Sequence, residues 1–492
     1  MIKYLYQIIV LVIIVFPIGK AHAEGYELKV RIKNLENRQI ILGHHFVDKL
    51  YPDDTLKLDN EGYGILQGKV KLPEGIYFLM TPSHAMFDFF MTENQQFSIE
   101  TDSLNLLEEM KFEGSPENTS AWKYMKLIKL KQKDIADLQK KKEELTNEND
   151  IKSIDYQINK IGKDFKDEAQ LVIDNNQNNF VGQFIKATQE IEIPEPPKDA
   201  EGKITDASFQ LRYYRKHYFD SFDPSDARLL RTPIYEEKIK FYLDKVVSQS
   251  PDTVSIECDK LLALAEKDKE VFRYMLITLF NKYASSNIMG FDAVYAHIAE
   301  KWYIPKATFS DTAFINKTVE IVRKLKPLLI GKTAPDLKML WVPSEHFIEA
   351  KTDTVARNNP NIGSFINLSE IKADYTILAF WESDCGHCKK TIPELFEVYK
   401  RLKNKGIEVM SVNELGGVGG KKKWIDFVNK HEMYDWLNVW NPYDVTYKKI
   451  YDISVTPTIY ILDKDKKIIA KKLEPKQIEE FLNDLILVKK KE

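Results

Sequence analysis

The stretch FWESDCGHCKKTIPEL, Phe380 to Leu395, decides how the C-terminal third of this chain is read. Cys385 and Cys388 are separated only by Gly386 and His387. The apolar run YTILAFW (Tyr375–Trp381) precedes them, and a segment with helical character follows. A cysteine pair where a buried strand feeds a helix is suited to redox chemistry. Exposed backbone N–H groups and a partial positive charge gather at a helix start and favour a thiolate. Two intervening residues let the second sulfur reach the first within one turn. Cys385 is therefore expected to be the exposed nucleophile and Cys388 the more buried resolving thiol, the two forming a Cys385–Cys388 disulfide. A structural zinc site needs four ligands, often two such pairs, and here there is one. A permanent staple is disfavoured because so small a loop gains little stability.

The chain has 492 residues, enough for about three domains. Hydrophobic residues make up 43% and the formal charge is −3, with no basic segment carrying interleaved aromatics. Nucleic-acid binding thus has no electrostatic footing. The only other cysteine, Cys258, lies among apolar residues at helical spacing and reads as a core thiol. With three cysteines in all, redox content is concentrated at one place rather than spread through a disulfide framework.

The N-terminus has the layout of an export signal. Lys3 is followed by an apolar run from Ile8 to Ile18, then Ala21-His22-Ala23 in small-x-small form. Residues 1–23 are expected to be removed, which takes the charge to −5 through loss of Lys3 and Lys20. The run is short for a membrane span, so a periplasmic or cell-envelope location is expected.

Residues 24–115 alternate apolar and polar positions, as in Tyr26, Leu28, Val30 and Ile32, with turns at Asn60-Glu61-Gly62 and Pro73-Glu74-Gly75. They are expected to form an antiparallel β-sheet or sandwich. His44 and His45 lack an evident carboxylate or cysteine in sequence and read as surface residues. Residues 116–325 are expected to be an all-helical domain. It begins with a coiled-coil-like hairpin, carried by Ile128, Ile135, Leu138 and Leu145 and then by Ile151, Ile154, Ile158, Ile161 and Phe165. Asn147–Asp150 separates the two arms. Thr232-Pro233 is expected to start a later helix, and GFDAVYAHIAEKWY is expected to be helical throughout. From about 330 to 490, strands and helices alternate as in an α/β domain: GIEVMSV, a helix over 421–431, WLNVW, a short helix over 443–451, the TIYILD/KKIIAKKL hairpin and a helix over 475–488. The active-site helix is expected over 386–405. The glycines Gly416, Gly417, Gly419 and Gly420 read as a flexible loop, lacking the ending of a phosphate loop.

The segment 331–490 resembles the TlpA/ResA-type thioredoxin-fold oxidoreductases. GKTAPD (Gly331–Asp336) resembles the family's opening, and INLSEIKADYTILAFWESDCGHCKKTIPEL resembles its core. Pro393 matches the proline that kinks the active-site helix. SVTPTIYILD resembles the strand with a cis proline, here Thr456-Pro457. The resemblance implies thiol–disulfide exchange, no cofactor and no metal. It also implies protein dithiols or disulfides of the envelope as partners, with a membrane-linked electron donor or acceptor. The first two-thirds more distantly resembles β-rich and helical domains of unknown function in Gram-negative envelope proteins.

Four positions depart from the pattern. Asp384 replaces the usual tryptophan and is expected to oppose the Cys385 thiolate. Ala379 stands where thioredoxins bury an aspartate. Thr391 stands where reducing relatives often bury a glutamate, which leaves water or Glu382 to handle the Cys388 proton. His387 is the isomerase-type residue, whose ring is expected to stabilise the thiolate. Trp381 is counted among the supporting residues. A peroxiredoxin is disfavoured, because Leu378 and Glu382 occupy the positions where its proline and Thr/Ser would stand. The remaining alternative is an envelope scaffold carrying an accessory redox domain.

Overall fold

A computed structural model describes residues 25–359 and 363–489. The expected export signal, residues 1–23, lies outside them. The chain divides into two compact units that meet between Tyr242 and Leu243.

In the first unit, strand Tyr26–Lys33 pairs antiparallel with Tyr63–Gly68 and parallel with Gln96–Asp102, and Lys111–Glu113 closes that sheet. A second four-stranded sheet runs in the order Lys49–Lys57, Gln39–Phe46, Gly75–Met80, Met86–Met91. Leu28, Val30 and Ile32 are fully buried, and they share one core with Leu42, Leu79, Phe89 and Phe97 of both sheets. Lys29 and Arg31 face solvent, so the period of two becomes a core face and a wet face. His44 and His45 each have a carboxylate partner that strand pairing supplies: Asp53 at 2.8 Å and Asp88 at 3.0 Å.

The hairpin arms span Pro116–Glu143 and Glu148–Asn175. The side chains of Ser115 and Asn147 cap them, accepting from the N–H of Asn118 and of Asn149. Such caps satisfy N–H groups that have no partner inside a helix.

Helices Pro251–Ala265, Lys269–Ala284, Asp292–Ile298 and Thr312–Leu325 belong to the second unit. GFDAVYAHIAEKWY is not one regular α-helix, because Ala299–Tyr303 widens into a π turn. Pro233 precedes the helix Ile234–Phe241 as its cap residue rather than opening it.

The C-terminal domain holds a seven-stranded sheet in the order Ser364–Asn367, Lys338–Trp341, Leu437–Trp440, Ile407–Asn413, Tyr375–Trp381, Thr458–Asp463, Ile468–Lys471. The three middle strands, Leu437–Trp440, Ile407–Asn413 and Tyr375–Trp381, run parallel, and the outer strands are antiparallel to their neighbours. Ile377, Ala379 and Trp381 pack into one core layer, and Leu378 and Phe380 into the layer on the opposite face. Burial on both faces is why YTILAFW reads as a continuous apolar run. The helix Pro475–Lys489 ends the described chain.

Three local expectations are corrected. The active-site helix begins at Cys388 rather than 386, and Lys403–Lys405 continues it as a 3-10 turn. Gly417 to Gly420 form the first turn of the helix Gly417–His431, not a loop. The short helix near 443–451 is confined to Tyr447–Ile450.

Candidate active site

The strand Tyr375–Trp381 ends in a turn in which the Cys385 N–H donates to the Glu382 carbonyl (3.2 Å). The Lys389 N–H then donates to the Cys385 carbonyl (3.1 Å), the first bond of the helical ladder. Cys385 therefore stands just before the helix, with its sulfur facing the first free N–H groups. The Cys388 N–H reaches Cys385 Sγ at 3.4 Å, and the His387 N–H also bonds to that sulfur. Cys385 is half-buried, whereas Cys388 is fully buried against Ala379, Trp381 and Ile392. Both are free thiols.

These surroundings split the two acidities. Burial pushes Cys385 up, but hydrogen bonds from the Cys388 N–H, the Thr456 side chain, the Cys388 thiol and the His387 N–H outweigh it. Its pKa falls below the ordinary value. Burial dominates at Cys388 and pushes its thiol up to about 12, against weaker help from the Glu382 N–H and the Thr456 side chain. One sulfur is primed to ionise and its neighbour is held protonated.

The Thr456–Pro457 peptide bond is cis, and Thr456 lies against the cysteines. The Cys385 thiol donates to the Thr456 carbonyl at 3.2 Å. The Thr456 side chain hydrogen-bonds to both sulfurs. Sequence reading singled out Thr456 only as the partner in the proline bond; nothing local to it signals a double contact.

Two of the departures from the family pattern, Asp384 and His387, have partners in the structure. Asp384 does not face the sulfur unopposed: its carboxylate meets Lys423 Nζ at 2.5 Å. Lys423 lies on the helix Gly417–His431, a long-range contact invisible in local sequence. The His387 contact with Cys385 Sγ is through its N–H, and the ring has other neighbours. It lies 3.5 Å from Thr391 Oγ1 and 3.9 Å from Glu474 Oε1, with the side chain 60% exposed. As the residue before the helix, His387 turns its ring toward position i+4 and leaves its N–H for Cys385. Gly386 is exposed with open space where a side chain would begin, so no close approach requires glycine there.

Trp381 is fully buried and donates from Nε1 to Ser411 Oγ at 2.8 Å. Pro393 lies inside the helix, where it cannot donate to the Lys389 carbonyl. Glu414 was not anticipated. It follows the neighbouring strand, its N–H donates to the Trp381 carbonyl (2.8 Å), and its buried carboxylate sits 2.9 Å from Lys448. Burial raises the pKa of Glu414 against the pull of Lys448, and the Glu382 carboxylate adds to the rise. Cys258 is fully buried; burial pushes its thiol up to about 12, with Tyr283 as hydrogen-bond partner.

A thioredoxin-like sheet, a CxxC pair at a helix mouth and an opposing cis proline define the class of this domain. Residues 330–471 match the AhpC/TSA family, and the C-terminal domain is a thioredoxin-like domain of that kind. Residues 26–120 match a domain of unknown function (DUF4369), and residues 138–325 match another (DUF5106). The chain is similar to the thiol-disulfide oxidoreductase ResA of Bacillus thuringiensis subsp. konkukian, 24% identical over 150 residues, covering 28% of this chain and 83% of ResA. ResA of Bacillus subtilis is 30% identical over 107 residues, covering 22% of this chain and 57% of that protein. Among solved structures, a domain of a possible thiol-disulfide isomerase from Cytophaga hutchinsonii is 32% identical; the match covers 34% of this chain and 99% of that one, with a TM-score of 0.27. A thioredoxin-like protein from Bacteroides caccae is 21% identical, covering 60% of this chain and 98% of that one, with a TM-score of 0.42. The C-terminal domain is thus related to thiol–disulfide oxidoreductases.

Proposed function

We propose that this protein is an exported thiol–disulfide oxidoreductase acting on cell-envelope proteins, with Cys385 as nucleophile and Cys388 as resolving thiol. The observation that carries this reading is the placement of the pair: Cys385 Sγ lies 3.4 Å from the Cys388 N–H at the helix mouth and 3.2 Å from the Thr456 carbonyl, while Cys388 is fully buried behind it. In the reducing direction the Cys385 thiolate attacks a substrate disulfide. The substrate S–S bond breaks, a Cys385–substrate disulfide forms, and one substrate sulfur leaves as thiolate. Cys388 loses its proton and attacks Cys385 Sγ, forming the Cys385–Cys388 disulfide and freeing the second substrate sulfur. Two electrons pass to the substrate and two protons end on its thiols. An envelope dithiol donor, in our reading linked to the membrane, returns the pair to the reduced form. We favour the reducing or isomerising direction. A lowered Cys385 pKa raises the share of the attacking thiolate.

Export rests on the sequence pattern at residues 1–23. Among the described residues no helix is long and apolar enough to cross a membrane. Expressing Cys388→Ala in the native compartment tests the exchange reading. A mixed disulfide should accumulate on Cys385 and identify the substrate. A variant that captures no protein covalently there would overturn the reading.

A further inference from the structure

The sequence gives no role to the helices that precede the C-terminal domain, yet within the second unit they reach its active-site end. A cavity of about 390 Å³ opens beside the cis proline. Val455, Pro457 and His387 border it on the cysteine side, and Leu325, Leu328 and Asp292 close the other side. Leu325 ends the helix Thr312–Leu325, Leu328 follows it in a 3-10 turn, and Asp292 begins the helix Asp292–Ile298. One wall of the cleft therefore comes from outside the thioredoxin-like sheet.

That wall is fixed in place. Lys471, on the edge strand Ile468–Lys471, pairs with the Asp292 carboxylate, and its Nζ donates to the Leu328 carbonyl at 2.6 Å. Farther along, the Gly331 N–H donates to the Ile468 carbonyl and the Ile468 N–H to the Lys332 carbonyl, both at 2.8 Å. The connecting segment is laced to the edge strand, so the cleft is preformed.

Its chemistry points to one kind of occupant. The volume lies in the range of ligand clefts, about 300–1,000 Å³, and suits one or two side chains. Leu325, Leu328, Val455 and Leu473 give it apolar surface. The lining cation Lys471 is already neutralised by Asp292, and Lys472 against Asp452 and Glu474 leaves the remaining lining with one net negative charge, so it holds no unpaired cation to favour an acidic side chain. Val455 precedes the cis bond and is 70% exposed. Its carbonyl accepts from Thr458 Oγ1, while its N–H has no hydrogen-bond partner among the described residues. An extended chain bonded along this segment would carry a side chain over Val455 toward Leu325.

We infer that this cleft is a specificity pocket with Leu325 and Leu328 as its outer wall. It takes an extended, cysteine-bearing polypeptide whose residue beside the cysteine is bulky and apolar. The inference rests on the exchange reading above and names the substrate class for it. A helical segment belonging to a domain of unknown function would thereby select substrates for the redox domain.

The test compares kcat/KM of the full chain for two synthetic peptide disulfides, identical except for leucine or serine beside the cysteine, with glutathione disulfide as a small probe. The wild type should favour the leucine peptide by about 10-fold or more, the discrimination expected for an apolar side chain in a pocket. Leu325→Ser should reduce that ratio toward unity. Val455→Ser should do the same from the opposite wall, and its exposed position keeps the result independent of folding. Equal kcat/KM for the two peptides in the wild type, with glutathione disulfide still exchanged, would overturn the pocket and leave the exchange reading standing. Full retention of the preference in both variants would also overturn the pocket. No exchange with any of the three disulfides would remove both readings.

Discussion

Thr456 faces both sulfurs: its carbonyl oxygen lies 3.2 Å from Cys385 Sγ, and its side chain hydrogen-bonds to both Cys385 and Cys388. One residue thus touches the nucleophile and the resolving thiol at once. A hydroxyl donating to a thiolate favours the charged form. Thr456→Val keeps the shape and removes the donor. We expect the Cys385 pKa to rise by about one unit, in line with a charge-assisted hydrogen bond of about 1.5 kcal/mol, with exchange at neutral pH slowed several-fold. The pH profile of alkylation checks this; an unmoved profile would assign Thr456 a packing role only.

The contribution of His387 separates into ring and backbone. His387→Ala removes the ring and keeps the N–H, so Cys385 alkylation should shift by less than about half a unit. His387→Pro removes the N–H as well and should shift it upward further. Equal shifts in the two variants would return the effect to the ring.

Lys423 offsets the carboxylate beside the nucleophile. Both side chains of that pair are about half exposed, so its influence is modest. Lys423→Ala should raise the Cys385 pKa by less than about one unit, and Asp384→Asn in the same background should reverse the change. Failure of the second substitution to restore the first would show that Lys423 acts otherwise.

The raised thiols give the reduced protein a stability that depends on pH. Cys388 and Cys258 are both pushed up to about 12, while an unfolded cysteine ionises near 8.5. Their contribution is present below about pH 8.5 and is lost as pH rises toward 12. Cys385, with its pKa lowered, works in the opposite sense. It stabilises the fold above the unfolded value and loses this as pH falls through its own pKa. Two buried thiols outweigh one, so the urea midpoint of the reduced protein should fall on the alkaline side, and less steeply in Cys258→Ala. A flat midpoint from pH 8 to 10 would contradict this sign.

Trp381 holds the floor beneath the cysteines. Trp381→Phe leaves the buried Ser411 hydroxyl without its indole donor, and should cost about 1–3 kcal/mol. Thermal unfolding measures the loss; restoration by a second change, Ser411→Ala, would tie it to that hydrogen bond.

Periodicity and punctuation made the elements legible. The alternation at Leu28, Val30 and Ile32, the three- and four-residue spacing from Ile151 to Phe165, and the unbroken YTILAFW each encode one burial pattern, and burial pattern is local. The Cys385–Cys388 spacing likewise encodes reach within one turn. What the sequence could not encode is who arrives from far away. Lys423 beside Asp384, Thr456 beside both sulfurs, Asp53 and Asp88 beside His44 and His45, and Leu325 across the cleft from Pro457 are products of chain crossing, separated by anything from nine to more than a hundred positions. The helix start at Cys388 was missed for a related reason. Propensity alone does not place a terminus, because the turn bond from the Cys385 N–H to Glu382 competes with the helical ladder. By itself, then, the sequence determined that a dithiol sits where a buried strand meets a helix. It also pointed to the first sulfur as the one facing the helix N–H groups, because those donors lie two and three residues on. Only the tertiary structure decided how completely the second sulfur is buried and that Thr456 meets both, since those depend on residues distant in the chain.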